Sequence, residues 1–235
     1  MVGVKLRLEK TRVRCWDAPV KIRVKICGVK RVEDMRIAAA AGADAIGLLV
    51  GQRHPSGDFI SVELAARIAA ACPPFVTPVI VTHVEDVGGI HALASGAGVS
   101  TIQVHSDLSP AGVRALRELG RYRLLKAYHV TGQESLAYGE AYRGIVDGFV
   151  LDSLNAATGQ VGGTGLTHDW ALSRAIVERY PDVPVILAGG LKPENVAAAA
   201  AQVRPYGVDV NSGTKGSDGW KNKARCEAFV REARQ

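Results

Sequence analysis

The sequence contains few cysteines, and their spacing excludes two common uses of this residue. Its four cysteines, Cys15, Cys27, Cys72 and Cys226, form no CxxC pair and have no Cys/His spacing of the zinc-finger kind. The sequence therefore indicates neither a disulfide framework nor a structural metal site. We expect free thiols.

Aromatic residues and long apolar runs are also scarce. Aromatics make up 6% of the 235 residues, and Lys and Arg are dispersed among Asp and Glu although the net charge is +6. This pattern favours attraction for small anionic metabolites over binding to nucleic acid. Apolar stretches are broken by Gly, Pro or charge well before the ~18 residues that a membrane span needs. We expect a soluble, cytoplasmic protein with no membrane partner.

The sequence does contain a repeated alternation of short β-branched runs and Ala-rich stretches with helical spacing. The alternation begins after residues 1–20, which we interpret as an N-terminal extension that Pro19 separates from the rest. The predicted strands are 22–27, 44–50, 76–82, 100–105, 123–129, 147–152, 183–188 and 206–210. The predicted helices lie near 32–41, 61–71, 85–95, 109–119, 133–142, 168–180, 193–203 and 219–234.

Eight strand–helix units in residues 21–235 match an α/β fold of the (β/α)8 TIM-barrel type better than an open doubly wound sheet. An open sheet would usually have fewer strands and a Gly-rich first turn, and no GxGxxG follows the first predicted strand. We therefore predict one barrel catalytic domain over residues 21–235. In such barrels the chemistry lies where the strands end and the following loops begin.

Two glycine-containing loops follow the seventh and eighth predicted strands, "AGGLKPENV" at 188–196 and "VDVNSG" at 208–213. Glycines just past a strand leave backbone N–H groups free to converge on an anion. Taken singly, Gly189–Gly190 and Gly213 could be turn formers. Two such loops at adjacent strand ends favour a phosphate site, which is where barrels of this kind usually hold one.

Cys27 and Asp152 stand at the ends of the first and sixth predicted strands. Taken singly, a strand cysteine is more often inert core, and a strand-end aspartate more often caps a turn. Together they would open onto the same face of the barrel, beside the predicted phosphate site. A thiol of lowered pKa can act as a base and an aspartate of raised pKa as an acid, so the pair indicates an isomerase.

Other strand ends carry His83, His105 and His129. These histidines compete for the acid and base roles, but a barrel of this size can carry them as supporting or loop residues. Scattered histidines alone do not specify a metal, and we predict none.

An ordered set of motifs runs from about Lys21 to the C-terminus. The set comprises "KICG" at 25–28, "IQVH" at 102–105, "VLDS" at 150–153, "GGTGLTHDW" at 162–170, "AGGLKPENV" at 188–196 and "VRPYGVDVNSG" at 203–213. In this order the motifs resemble the phosphoribosylanthranilate isomerase family, tryptophan-pathway barrels that perform an Amadori rearrangement.

The resemblance implies a role for each of these motifs. Cys27 would be the general base, Asp152 the general acid, and no cofactor would be needed. A mobile loop would cover the substrate, and the loops after the last two strands would hold the ribose and its 5-phosphate. The binding residues implied are Gly163, Thr164, Gly165, Gly189, Gly190, Asp209, Asn211, Ser212 and Gly213.

The sequence departs from the family pattern on the side that meets the aryl group. Asp58 stands where the family's carboxylate-binding arginine is expected, and Lys215 replaces a usual glutamate. His83 and Ser106 replace a usual asparagine and glycine. The residues that could face this part of the substrate are Arg53, His54, Asp58, His83 and His105.

Three hypotheses follow. The first is an isomerase of N-(5'-phosphoribosyl)anthranilate in which Arg53 or His54 replaces the missing arginine and Asp58 turns outward. The second is a paralogous sugar-phosphate isomerase whose substrate lacks the carboxylate, with Asp58 pointing inward and repelling carboxylates. The third is a non-enzymatic phosphometabolite-binding barrel, which would have no need for Cys27 with Asp152. In each case the partner is a small phosphorylated molecule, and the protein is a monomer or homodimer.

Overall fold

The computed structural model of the chain describes residues 21–53, 56–155, 160–161 and 169–235, and for 154–155 and 160–161 the backbone alone. The predicted N-terminal extension, residues 1–20, lies outside the described residues. None of the helices in the described ranges has the length and apolar character that a membrane crossing requires.

Eight parallel strands close into a barrel, as the sequence predicts. They are β1 (Arg23–Ile26), β2 (Ala45–Leu49), β3 (Thr77–Thr82), β4 (Thr101–Val104), β5 (Arg123–His129), β6 (Gly148–Asp152), β7 (Val185–Leu187) and β8 (Gly207–Val210). Their order around the barrel is β1-β8-β7-β6-β5-β4-β3-β2. Two short antiparallel strands, Leu154–Asn155 and Gln160–Val161, lie between β6 and β7 in the chain. The predicted (β/α)8 architecture is confirmed.

A helix follows each strand of the barrel. The helices are α1 (Val32–Ala40), α2 (Val62–Ala70), α3 (Val87–Ala97), α4 (Pro110–Leu119), α5 (Ser135–Tyr138), α6 (Trp170–Arg179), α7 (Val196–Val203) and α8 (Lys223–Ala233). The side chains of Ser61 and Ser109 cap α2 and α4 by accepting bonds from Leu64 N and Gly112 N. The fifth helix is shorter than predicted because it changes to a 3-10 turn at Gly139, a poor helix former.

Alternation along the strands separates the core from the barrel interior. In β1, Val24 and Ile26 join the large apolar cluster between strands and helices. Lys25 and Cys27 alternate with them and therefore face the inside of the barrel. There Cys27 packs with Val79 and Val81 of β3. The strand thus delivers a lysine and a thiol to the interior, one above the other.

Candidate active site

A cavity of about 360 Å³ lies at the carboxyl ends of the barrel strands, a volume within the range of small-molecule sites. It is lined by residues from the ends of seven strands or from the loops that follow them. Its polar wall includes Cys27, Asp58, His83, His105, Asp152 and Ser212. The cavity therefore brings the two predicted catalytic residues and part of the predicted phosphate site together.

Cys27 follows β1 and lies against Gly47 of the neighbouring strand. A Cβ on Gly47 would stand 2.5 Å from the Cys27 sulfur, so only glycine leaves room for the thiol. Burial raises the pKa of the thiol above its ordinary value, where a lowered pKa was expected of a base, and the charge of Lys25 offsets only part of that rise. The thiolate that a base requires therefore depends on the lysine below it.

Lys25 forms an ion pair inside the barrel with Asp209, its partner in register on β8. The Nζ–Oδ2 distance is 2.6 Å, and both side chains are buried. Burial would lower the pKa of Lys25, but Asp209 and Cys27 raise it overall. Asp209 is thus tied to Lys25 through one oxygen. Lys25 is not among the residues predicted from the sequence, although its position two residues before Cys27 puts both side chains on one face of the strand.

Asp152 ends β6 and is buried, with 7% of its surface exposed. Its Oδ1 accepts a hydrogen bond of 2.8 Å from the backbone N–H of Ser153. Burial raises the pKa of Asp152 to about 7, and the charge on Asp209 adds to the effect. A carboxyl group with this pKa holds a proton through much of the neutral range, as a general acid must.

His105 lies beside Asp152, with 3.6 Å between its Nε2 and Asp152 Oδ2. Burial lowers the pKa of His105 well below its ordinary value, and His129 and His83 add to the shift. The ring is therefore neutral at physiological pH and adds no positive charge that would hold Asp152 ionised. The rings of His83 and His129 lie 5.2 and 5.5 Å from that of His105, centroid to centroid.

The predicted phosphate loops lie at the same end of the barrel. Gly189 and Gly190 have φ angles of +80° and +64°, in the left-handed region that glycine favours. A Cβ on Gly189 would stand 2.7 Å from Ser153 N, and one on Gly213 would stand 2.2 Å from Leu191 O. A side chain at either position would clash with neighbouring backbone, so glycine is required in both loops.

Asp58 points inward and is held by two other loops. Its carboxylate accepts bonds from Lys215 Nζ at 2.5 Å and from Asn211 Nδ2 at 2.9 Å. Lys30 Nζ lies 3.6 Å from Oδ1. Burial would raise the pKa of Asp58, but the bonds from Lys215 and Asn211 outweigh burial and keep it below its ordinary value. The Asn211 side chain is thus engaged with Asp58.

The other predicted substrate-side residues are less central. Arg53 forms an ion pair of 2.5 Å with Glu85, its side chain is 53% exposed, and it is not among the residues that line the cavity. His54 and the predicted covering loop, Gly163 to Gly165, lie outside the described residues. Within the described ranges, no group of three or more His, Cys, Asp or Glu is placed to hold a metal ion.

Comparison with known proteins agrees with this geometry. Residues 24–232 match the family described as PRAI, N-(5'phosphoribosyl)anthranilate (PRA) isomerase. A relative named N-(5'-phosphoribosyl)anthranilate isomerase 2, from Methanosarcina mazei, is 45% identical over 91% of this chain and 94% of its own length.

Solved structures of the same family superpose on the barrel. One is an isomerase in complex with reduced 1-(o-carboxyphenylamino)-1-deoxyribulose 5-phosphate, 32% identical, with a TM-score of 0.72 over 90% of this chain and 98% of the other. Another shows monomers of the dimeric enzyme of Thermotoga maritima, 30% identical, with the same TM-score and the same coverage of both chains. The resemblance found in the sequence is confirmed. The chain belongs to the N-(5'-phosphoribosyl)anthranilate isomerase family.

Proposed function

We propose that the chain catalyses the Amadori rearrangement of N-(5'-phosphoribosyl)anthranilate, the aldose-to-ketose isomerisation that belongs to tryptophan biosynthesis. The observation that carries the proposal is that Cys27 and Asp152 line one cavity. The proposed acid has a pKa raised to about 7 by burial, and the proposed base lies near a lysine. A barrel that only bound its ligand would not require this pairing, so the binding-protein hypothesis has less support.

In the first step, Asp152 donates its proton to the ribose ring oxygen. The C1–O bond breaks, the nitrogen lone pair forms a C=N bond, and the open-chain Schiff base carries a positive charge. His105 stays neutral beside Asp152 and does not compete as a proton source. The carboxylate left behind faces the cationic intermediate, which favours ring opening.

In the second step, the Cys27 thiolate removes the proton from C2. The electron pair moves into a C1–C2 double bond and neutralises the nitrogen, which gives an enolamine. Tautomerisation then places hydrogen at C1 and forms the ketone at C2. Hydrogen moves within one molecule, so no oxidant, reductant or redox cofactor is needed. Lys25 is the positioning residue here, because its charge favours the thiolate.

We assign the 5-phosphate to the loops after β7 and β8. The proposed donors are the backbone N–H groups of Gly190, Ser212 and Gly213, with Gly189 and Asn211 shaping the loops. None of these N–H groups donates a hydrogen bond to another described residue. In the same proposal Asp209 orients the ribose through the oxygen that Lys25 leaves free.

The setting of the enzyme is also a proposal. We place it in the cytoplasm, where a reducing environment keeps the Cys27 thiol free for catalysis. We propose a monomer or a homodimer, and sedimentation velocity distinguishes the two.

The test is turnover of N-(5'-phosphoribosyl)anthranilate by the purified protein and by Cys27→Ala. We expect wild type to form the ketose and Cys27→Ala to lose roughly 10²–10⁴-fold in kcat, since the base is missing. Cys72→Ala is the matched control, because Cys72 is a half-buried thiol away from the cavity whose sulfur bonds Ile68 O. Near-wild-type turnover by folded Cys27→Ala would remove the thiol from the mechanism.

A further inference from the structure

Three loops meet at one charged cluster beside the cavity, and Asp58 is the member of the cluster that lines it. Lys30 comes from the loop after β1, Asp58 from the loop after β2 and Lys215 from the loop after β8, and these strands are neighbours in the barrel. The side chains are largely removed from solvent, with 16%, 11% and 20% of each exposed. We call these three residues the lysine–aspartate cluster.

The cluster carries an excess positive charge. Two ammonium groups lie within 3.6 Å of a single carboxylate, which leaves one positive charge without a partner inside the cluster. Lys221 lies next to it and donates to Asn211, the residue that also bonds Asp58. Burial lowers the pKa of Lys221 to about 8, and Lys215 is among the charges that act against it. This side of the cavity therefore attracts an anion.

The geometry also joins two sequence features that stand 157 residues apart. Asp58 and Lys215 are both departures from the family pattern, one an acid in place of a base and the other a base in place of an acid. They contact each other directly. The two changes exchange the acid and the base between the loops, so a cation is kept at the site and is carried here by the loop after β8. Although Asp58 points inward, the net charge of the cluster is therefore positive.

We propose that Lys215, aided by Lys30, recognises the ring carboxylate of the substrate and that Asp58 positions the two lysines. The proposal rests on the proposed function, since that substrate has two anionic ends. The phosphate is assigned to backbone donors of the β7 and β8 loops. The carboxylate is the anion that remains, and the two lysines are the cations held directly against Asp58, which lines the cavity.

The experiment compares two substrates that differ by one group: N-(5'-phosphoribosyl)anthranilate and the corresponding aniline compound without the carboxylate. We expect Lys215→Met to raise KM about 10–100-fold for the first, the size of a lost charge-assisted hydrogen bond, and to leave the second within about 2-fold. Lys30→Met should change KM in the same selective way by a smaller factor. Arg53→Met is the matched control, because Arg53 is a cation on the neighbouring loop that is paired with Glu85.

A charge exchange separates recognition from folding. Asp58→Arg alone brings three cations together, and Lys215→Glu alone brings two acids together, so each should impair use of the carboxylated substrate. The double variant Asp58→Arg/Lys215→Glu should recover at least 10-fold over either single variant. Circular dichroism and thermal melting check that each variant is folded.

Several outcomes would overturn the assignment. Equal KM changes for both substrates would place the lysines at the phosphate, and unchanged KM in Lys215→Met and Lys30→Met would remove them from recognition. Wild type that converts the aniline compound alone would overturn the proposed function as well as this inference.

If wild type converts neither compound, calorimetry measures how tightly wild type and Lys215→Met bind reduced 1-(o-carboxyphenylamino)-1-deoxyribulose 5-phosphate. Binding that Lys215→Met does not weaken would then sink the inference without deciding the reaction.

Discussion

Asp152 and Asp58 are two buried carboxyl groups on opposite sides of one cavity, and their environments push them in opposite directions. Their exposed fractions are nearly equal, 7% and 8%. The pKa of Asp152 is raised to about 7, whereas that of Asp58 is held below its ordinary value. Burial acts on both in the same direction, so burial alone does not explain the difference.

The neighbours of each group decide its protonation. Asp152 receives a single backbone hydrogen bond and faces a neutral imidazole, His105. Asp58 receives an ammonium group on both of its oxygens and an amide from Asn211. Asp152 is therefore able to donate a proton near neutral pH, whereas Asp58 stays ionised. Carboxyl groups with pKa values pushed apart in this way take different roles in one site.

The largest expected effects are on the kinetic constants of two variants, one that removes the proton of Asp152 and one that removes the charge of Asp58. Asp152→Asn keeps the shape and the bond from Ser153 but cannot deliver a proton, so kcat should fall roughly 10²–10⁴-fold. Asp58→Asn should raise KM for the carboxylated substrate and change kcat little. The reason is that Lys215 and Lys30 lose the carboxylate that positions them. Steady-state kinetics on both variants measures the split between kcat and KM.

The comparison fails if the two variants behave alike. A drop in kcat of similar size in Asp58→Asn would mean that Asp58 acts on the reacting atoms. An unchanged kcat in folded Asp152→Asn would remove the proposed acid. Glu63→Gln provides a control for the loss of a carboxylate outside the cavity, since Glu63 lies at the start of α2.

The two sides also differ in how far the sequence predicts them. Cys27 and Asp152 follow from counting strands, because each stands where a β-branched run stops, and the barrel places all strand ends together. The contact between Asp58 and Lys215 could not be predicted, since no local pattern links loops so far apart in the chain. The sequence alone gives Asp58 the appearance of an unpaired acid. The pairing of β8 with β1, which in turn pairs with β2, brings its partners to it.

The next effect concerns Lys25, which links the base to the buried charge of Asp209. Lys25→Met leaves Asp209 without a cation inside the barrel, and removing one partner of a buried pair costs ~3–5 kcal/mol of folding free energy. It also takes away a charge that lowers the pKa of Cys27, so alkylation of Cys27 should need a higher pH. Urea denaturation and peptide-resolved alkylation at several pH values measure the two effects.

A second variant separates these two effects of Lys25. Lys25→Met/Asp209→Asn removes both charges and should recover much of the lost stability, because no unpaired ion remains. An alkylation profile of Cys27 that is the same in wild type and Lys25→Met would show that the lysine stabilises the barrel without acting on the thiol.

A smaller effect is on the free energy of unfolding. The contribution of Asp152 decreases as pH rises, and that of Asp58 decreases as pH falls. The folded-state pKa of Asp152 is raised, so its contribution to stability is present below its unfolded pKa and is lost as pH rises towards about 7. Asp152→Asn removes this loss and should gain roughly 2–3 kcal/mol relative to wild type between pH 5 and pH 7.5. The folded-state pKa of Asp58 is lowered, so Asp58→Asn should lose stability relative to wild type above pH 4. Urea titrations at pH 5 and pH 7.5 test the sign for Asp152, and a difference that does not change with pH for Asp152→Asn would contradict the raised pKa. A further titration at about pH 3 tests the sign for Asp58, because its contribution is constant above the unfolded pKa and is lost as pH falls below it.

The smallest expected effect lies in the backbone that supports the acid. Gly189→Ala combines a φ of +80° with a Cβ that would stand 2.7 Å from Ser153 N, the group that donates to Asp152. The side chain must push Ser153 away, so we expect a loss of roughly 1–3 kcal/mol in stability and a measurable change in the pH profile of kcat/KM. Gly144→Ala has a φ of +81° with open space around the Cβ, and Gly57→Ala has open space without that φ. Gly144→Ala should therefore show the cost of strain alone, about 1 kcal/mol, and Gly57→Ala almost none. If Gly189→Ala matches Gly144→Ala in stability and leaves the pH profile of wild type intact, the close approach to Ser153 does not set the environment of Asp152. The difference between the two carboxyl groups would then have to come from the cationic side alone.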